Sequence, residues 1–113
     1  VCTNPDLTVH RGSKEELCAG SVAKVFEELG GKVTYFGKPH KEVYKMCFDS
    51  NEKVLAIGDN LRTDIKGANN LNLDCIFITN GDHRGEYKNI AELDILLKKY
   101  KVKANFYQKE FQW

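Results

Sequence analysis

The sequence predicts a mixed α/β fold organised around a parallel sheet, and three observations support this prediction. The chain has 113 residues, of which 42% are hydrophobic and 29% charged, as expected for one globular unit. The apolar runs at residues 54–57 and 75–78 are short, as in buried parallel strands. Segments with helical periodicity separate such runs, and this alternation is typical of parallel α/β sheets.

The N-terminal third is predicted to contain one helix between two short strands. Residues 1–3 and 32–36 read as the strands. Ser13 and Glu16 have the spacing of a capping box, which predicts a helix that begins there and ends at the glycines of residues 30–31. The inward positions of this helix recur at helical spacing: Leu17, Val22, Val25, Phe26 and Leu29.

After residue 39 the chain is predicted to alternate helices with strands. Pro39 suits the first turn of a short helix. This helix points three side chains inward: Val43, Met46 and Cys47. Strands at residues 54–57 and 75–79 flank a second helix. A last helix begins at Asn89, with Glu92 three residues on. The inward positions of the second and last helices are Ile65, Ala68, Leu71, Ile90, Leu93, Leu96, Leu97 and Tyr100.

Composition excludes several classes of function. The 17 basic and 16 acidic residues give a formal charge of +1, so no overall field attracts nucleic acid or an anionic membrane. No apolar run is long enough to cross a bilayer. The 4 cysteines have no CxxC spacing and lie in apolar stretches, which predicts reduced, buried thiols in a cytoplasmic protein.

Charged side chains follow two of the predicted strands at their carboxyl ends. Lys38 lies in a Gly-Lys-Pro turn before a helix, whereas Asp59 and Asp64 lie in the loop after the strand at residues 54–57. Either loop alone also fits a structural role, because aspartate is a common N-cap and this turn is common. Together they predict Mg²⁺-assisted phosphate chemistry, since carboxylates hold a hard cation and a lysine offsets phosphate charge.

Three segments give the sequence its resemblance to a known family. They are CTNPDLTVHRG, GKPHKEVY and VLAIGDNLRTDIKGANN. The chain resembles the haloacid dehalogenase superfamily of aspartate-nucleophile phosphatases, and more narrowly the nitrophenylphosphatase-like subgroup with a large α/β cap. The resemblance implies that residues 1–36 form the C-terminal part of the cap and residues 37–113 the C-terminal part of a Rossmann-like core.

The resemblance also implies roles for individual residues. Lys38 and Asp64 are the implied catalytic residues: Lys38 stabilises the phosphorylated nucleophile, and Asp64 supports the metal site through its second coordination sphere or through water. Asp59 is the implied Mg²⁺ ligand. Asn60 and Lys38 are expected to contact substrate. The turn on the cap side adds Thr3, Asn4 and Asp6 to the substrate contacts, with His10 and Arg11 as further candidates.

One motif of this family does not occur in the sequence. The family's DxD pair supplies the nucleophile and the general acid and base, and no aspartate here has another two residues on. The resemblance therefore implies a fragment of a phosphatase that acts on a small phosphorylated metabolite through an aspartyl-phosphate. We expect the strand at residues 54–57 to lack a neighbour, and the chain to be inactive alone. Its expected partners are the missing N-terminal half or a second copy.

Other interpretations follow from the same residues. A non-catalytic module could use Lys38 and the basic residues at 98–109 to bind a phosphorylated ligand or a protein. A phosphoacceptor receiver domain is disfavoured, because its lysine follows the acceptor aspartate whereas Lys38 precedes Asp59. Dinucleotide binding fails because no GxGxxG follows a strand. The loop at His83 and Arg84 follows a strand end and could line the cleft, although a solvated loop is favoured. The aromatic C-terminus could dock a partner, but packing across the sheet edge is favoured.

Overall fold

The structure is a computed structural model that describes residues 1–11 and 14–112, and at His10 only the backbone. The chain divides into two units, Val1–Cys47 and Phe48–Trp113. The division between cap and core that we expect after residue 36 stays a prediction. No helix among the described residues is long and apolar enough to span a membrane.

The first unit combines a hairpin with two helices. Its elements are β1 (Thr8–Arg11), β2 (Lys14–Leu17), α1 (Ala19–Glu28) and α2 (Lys41–Tyr44). β1 and β2 are antiparallel, with Val9 opposite Glu16. The N–H of Cys2 donates to the carbonyl of Thr34 (2.8 Å), and the N–H of Phe36 donates to the carbonyl of Cys2 (2.7 Å). The segments predicted as two strands therefore meet in a single parallel bridge.

The hairpin overturns the helix start that the capping-box spacing predicts. Glu16 lies in β2, and Ser13 lies outside the described residues. The strand ladder engages the backbone groups that a helix starting at residue 13 would need. Helix α1 therefore begins at Ala19, and the N–H of Gly30, with φ of 89°, bonds the carbonyl of Glu27 at its C-terminal end.

The helix after Pro39 is also shorter than the sequence predicts. It ends at Tyr44, so Met46 and Cys47 lie beyond its last residue. Both side chains are exposed, with Met46 at 77%, and the assignment of Met46 to the core is wrong. All 4 cysteines are free thiols, as predicted, but only Cys2 and Cys75 are buried.

The second unit is a parallel sheet packed against helices. Its elements are β3 (Leu55–Gly58), a π-helical turn (Leu61–Ile65), α3 (Lys66–Asn70), β4 (Asp74–Ile78), α4 (Ile90–Tyr100) and β5 (Phe106–Gln108). The strand order β3-β4-β5, parallel throughout, confirms the predicted α/β class. The aromatic C-terminal segment supplies β5 itself. The fully buried side chains of the core are Leu61, Ile65, Ala68, Cys75 and Phe77.

Helix α4 begins where the sequence predicts. The side-chain oxygen of Asn89 accepts the N–H of Glu92 (3.0 Å), which caps the helix. Leu93 is buried against the core with the two leucines one turn on. Ile90 is 79% exposed, so its predicted inward position is wrong.

Strand β3 lies at the edge of the sheet. Among the described strands it has one neighbour, β4. Leu55 and Ile57 are 48% and 42% exposed, whereas Ala56, on the opposite face, packs against the core. An edge with exposed apolar side chains can accept another strand.

Replacing a buried isoleucine by valine should test the core of the second unit. Ile65→Val removes one methylene from a fully buried side chain, and we expect about 0.5–1.5 kcal/mol lower free energy of unfolding. The matched control is Ile95→Val in α4, where the side chain is 66% exposed and the change should stay within about 0.5 kcal/mol. Urea unfolding measures both. Equal losses would contradict the assigned core.

Candidate functional site

The loop after β3 carries both aspartates predicted for chemistry. Asp59 directly follows β3, and Asp64 lies in the π-helical turn. Asn60 caps this turn, because its side-chain oxygen accepts the N–H groups of Arg62 (2.8 Å) and Thr63 (3.3 Å). The N–H of Asn60 itself donates to Oδ2 of Asp64 (3.2 Å). These hydrogen bonds close the loop on itself and hold Asp64 beside Asn60, the residue that follows Asp59.

The loop after β4 lies against Asp59. The N–H of Asp82 donates to Oδ2 of Asp59 (3.0 Å). The side-chain amide of Asn60 donates to Oδ2 of Asp82 (2.8 Å). Because β3 and β4 are parallel neighbours, their carboxyl ends deliver both loops to one edge of the sheet. This is the edge at which the sequence predicts the site.

Two glycines leave room for the two carboxylates. A Cβ atom added at Gly58 would overlap the side chain of Asp64. A Cβ atom added at Gly81 would overlap the side chain of Asp59. Both aspartates are partly buried, so their positions are set by close packing as well as by hydrogen bonds.

His83 is a functional candidate whose burial the sequence did not predict. It is 1% exposed, which contradicts the predicted solvated loop, whereas Arg84 is exposed as predicted. The N–H of Leu61 points at Nε2 of His83 (3.0 Å), and Nδ1 lies 2.7 Å from Oε1 of Glu86. The available signal was a histidine and a glutamate three residues apart, in the loop after the strand predicted at residues 75–79.

Hydrogen bonds donated by side chains connect the site loops to the rest of the second unit. Nη2 of Arg62 donates to the hydroxyl oxygen of Tyr100 in α4 (2.9 Å), and this bond raises the pKa of the Arg62 guanidinium. The hydroxyl of Tyr87 donates to the carbonyl of Thr79 (2.6 Å), and burial raises the pKa of Tyr87. Both groups keep their protons at neutral pH, so these bonds persist there.

In the first unit, the turn at residues 3–6 packs against the Gly-Lys-Pro turn. A Cβ atom added at the buried Gly37 would overlap Pro5 and lie 2.7 Å from the carbonyl oxygen of Thr3. Lys38 is exposed, and the Lys38–Pro39 peptide is cis. The structure thus brings together two segments that the sequence assigns separately to substrate binding, Thr3 with its turn and the turn of Lys38.

The remaining candidates of the first unit are exposed. The side-chain oxygen of Asn4 accepts the N–H of Asp6 (3.1 Å), which stabilises the turn. Arg11 forms an exposed ion pair with Glu16 across the hairpin (3.1 Å). The side chain of His10 lies outside the described residues. Lys38 belongs to one unit and the two aspartates to the other, so their expected proximity stays a prediction.

The carboxylate oxygens of Asp59 and Asp64 suit a hard cation, but they are fewer than a complete coordination sphere requires. Asp59 follows a strand end, as a metal-ligating carboxylate commonly does, and Asp64 is held close by. Mg²⁺ prefers six oxygen ligands in octahedral geometry. Among residues 1–11 and 14–112, no group of three or more histidine, cysteine, aspartate or glutamate side chains could hold a metal ion. Asp59 and Asp64 therefore supply fewer carboxylate oxygens than a complete Mg²⁺ site needs.

Comparison with known proteins agrees with the fold and with the aspartate loop. The family model described as HAD-hydrolase-like matches residues 35–100, and the chain belongs to this family. The chain is 29% identical over 86 residues to the dihydroxyacetone phosphatase of Corynebacterium glutamicum (strain R), a match that covers 72% of this chain and 31% of that relative.

Solved structures share the fold. A haloacid dehalogenase-like hydrolase from Brucella suis 1330 has a TM-score of 0.69 at 29% identity, over 96% of this chain and 42% of that one. The p-nitrophenyl phosphatase from Archaeoglobus fulgidus has a TM-score of 0.71 at 15% identity, over 95% of this chain and 41% of that one. The resemblance read from the sequence is thus confirmed, and the chain spans less than half the length of each of these relatives.

The packing of Gly81 on Asp59 can be tested by alanine. Gly81→Ala should displace the Asp59 side chain, and we expect shifted amide resonances at Asp59 and Asp82 with faster hydrogen exchange at Asp82. Gly85→Ala is the control: its Cβ would meet nothing within 4 Å, although the φ of 87° adds a local strain of about 1–2 kcal/mol. Two-dimensional NMR measures both. The same shifts in both variants would contradict the close packing.

Proposed function

We propose that this chain is the C-terminal part of a Mg²⁺-dependent phosphatase that acts on a small phosphorylated metabolite through an aspartyl-phosphate. The observation that carries the proposal is the Asp59–Asp64 loop, which closes on itself at the carboxyl end of β3 and is held by the N–H of Asp82. Membership of the HAD-hydrolase-like family supports the reaction class. The relative from Corynebacterium glutamicum is a dihydroxyacetone phosphatase, which supports a phosphate monoester as substrate.

The proposed roles follow from the chemistry of the side chains. Asp59 binds the cation through a carboxylate oxygen, and Asp64 holds the loop through the N–H of Asn60. Mg²⁺, when bound, supplies positive charge beside the phosphoryl oxygens. Lys38, which lies in an exposed turn, is proposed to provide a further positive charge to the phosphoryl group. Substrate contacts are proposed for Thr3, Asn4 and Asp6 in the first unit and for Asn60 in the second.

The proposed catalytic partner is a segment that carries the DxD pair. One carboxylate from Asp59 leaves most of a six-oxygen coordination sphere to other groups. The exposed edge of β3, with Leu55 and Ile57, is where we propose that a strand from this segment pairs. A second copy of the chain is the alternative occupant of this edge. A cytoplasmic location is also proposed, supported by four free cysteines.

The chain alone should lack phosphatase activity. With p-nitrophenyl phosphate and Mg²⁺ we expect phosphate release no faster than in the matched Asp59→Asn variant. The reason is that this sequence has no DxD pair to supply the nucleophile and the general acid and base. Phosphate release by the purified 113-residue chain measures this. Sustained turnover that requires Mg²⁺ and is lost in Asp59→Asn would refute the proposed dependence on a partner segment.

Anion binding distinguishes the phosphatase part from a non-catalytic module. The probe is tungstate, titrated against the chain with and without the N-terminal portion of the Brucella suis relative. The proposed phosphatase binds tungstate more tightly with Mg²⁺ only when that portion is added, and Lys38→Met weakens this binding. Tungstate binding by the chain alone, equal with and without Mg²⁺, would instead support a phospho-ligand module.

A further inference from the structure

His83 is a buried imidazole for which the proposed function has no role. Its side chain is 1% exposed and lies between two aromatic rings, with centroids 6.4 Å from Phe77 and 5.1 Å from Tyr100. Both ring nitrogens have polar neighbours, the N–H of Leu61 at Nε2 and a carboxylate oxygen of Glu86 at Nδ1. A buried polar side chain with two defined partners has a fixed orientation.

The partners of His83 determine where its proton lies. The N–H of Leu61 can only donate, so Nε2 must accept and carries no proton. Nδ1 then carries the proton and donates it to Oε1 of Glu86 at 2.7 Å. The carboxylate of Asp82 also faces Nε2, but at 3.9 Å it is too distant for a hydrogen bond. The imidazole is therefore neutral, with its proton on Nδ1.

The hydrogen bond from Leu61 completes the aspartate loop. The N–H groups of residues 60 and 62–65 find acceptors within the loop itself, on Asn60 or Asp64. The N–H of Leu61 instead uses His83, which belongs to the loop after β4. That second loop also contacts Asp59 through the N–H of Asp82. His83 thus connects the two loops whose contact sets the position of Asp59.

We propose that His83 is a positioning residue for the proposed metal ligand, acting as a neutral hydrogen-bond acceptor that locks Leu61 and thereby holds Asp59 against the loop after β4. This inference rests on the proposed function for the role of Asp59. Glu86 has a supporting part, because its carboxylate keeps the imidazole proton on Nδ1.

Two substitutions separate the bonds of His83. The side-chain oxygen of glutamine lies as many bonds from Cβ as Nε2 does, so His83→Gln retains an acceptor for Leu61. Asparagine reaches only as far as Nδ1, so His83→Asn retains a donor for Glu86 but leaves the N–H of Leu61 unpaired. Hydrogen exchange of the metal-free chain reads the outcome at Leu61 and Asp82, with the Leu93 amide in α4 as the reference for global stability.

We expect His83→Asn to speed exchange at Leu61 and Asp82 by about tenfold or more relative to Leu93, since an unpaired buried donor is costly. His83→Gln should remain within about threefold of the original chain, as expected for a retained acceptor. In the unsubstituted chain, the ¹⁵N shift of Nε2 should be that of an unprotonated ring nitrogen. A protonated Nε2 would overturn the positioning role. Equal exchange in both variants at Leu61 and Asp82, each relative to Leu93, would overturn it as well. The Leu93 reference corrects for a variant that is less stable overall.

Magnesium titration then separates this inference from the proposed function. The titration is run with the N-terminal portion of the Brucella suis relative added, because the proposed site is complete only then. Amide shifts at Asp59 and Asn60 report Mg²⁺ binding, and we expect His83→Asn to weaken it about 10- to 100-fold while His83→Gln does not. Unchanged affinity in His83→Asn, together with faster exchange at Leu61, would overturn the positioning role. No Mg²⁺ response in the unsubstituted chain with this portion added would count against the proposed function, whereas the exchange rates at Leu61 and Asp82 would still decide the role of His83.

Discussion

The candidate site depends on the parallel pairing of β3 with β4. Residues 58 and 77 are partners in this ladder, so the loops that follow the two strands start side by side. Asp59 can then accept the N–H of Asp82, and Asn60 can donate to the carboxylate of the same residue. An antiparallel pairing would put these loops at opposite ends of the sheet. The contacts between Asp59, Asn60 and Asp82 therefore depend on the parallel direction of the two strands.

The second unit was largely predictable because its signals are local. A short apolar run followed by Gly-Asp indicates a buried strand and its loop, and Asn89 with Glu92 indicates a helix start; both occur as predicted. The resemblance of GDNLRTDI to a family motif further identified Asp59 and Asp64. Strand β5 was missed because it has only three residues, two of them aromatic, and this short run was interpreted as a packed tail.

The first unit was less predictable because its pairing is not local. A capping-box spacing at residues 13 and 16 is a helix signal within one turn, but the strands of a hairpin outweigh it once residue 9 pairs with residue 16. The burial of His83 was missed for a similar reason. Its partners, Leu61 and Tyr100, lie 22 and 17 residues away in sequence and meet it only in the folded unit.

The exposed edge of β3 affects the solubility of the purified chain. The backbone N–H and C=O groups on the outer side of β3, beside the exposed side chains of Leu55 and Ile57, form a template on which another extended chain can add. Precipitation should therefore become worse with concentration. Lysine at position 55 would place a charge on this edge, away from the aspartate loop, and make purified material easier to keep in solution.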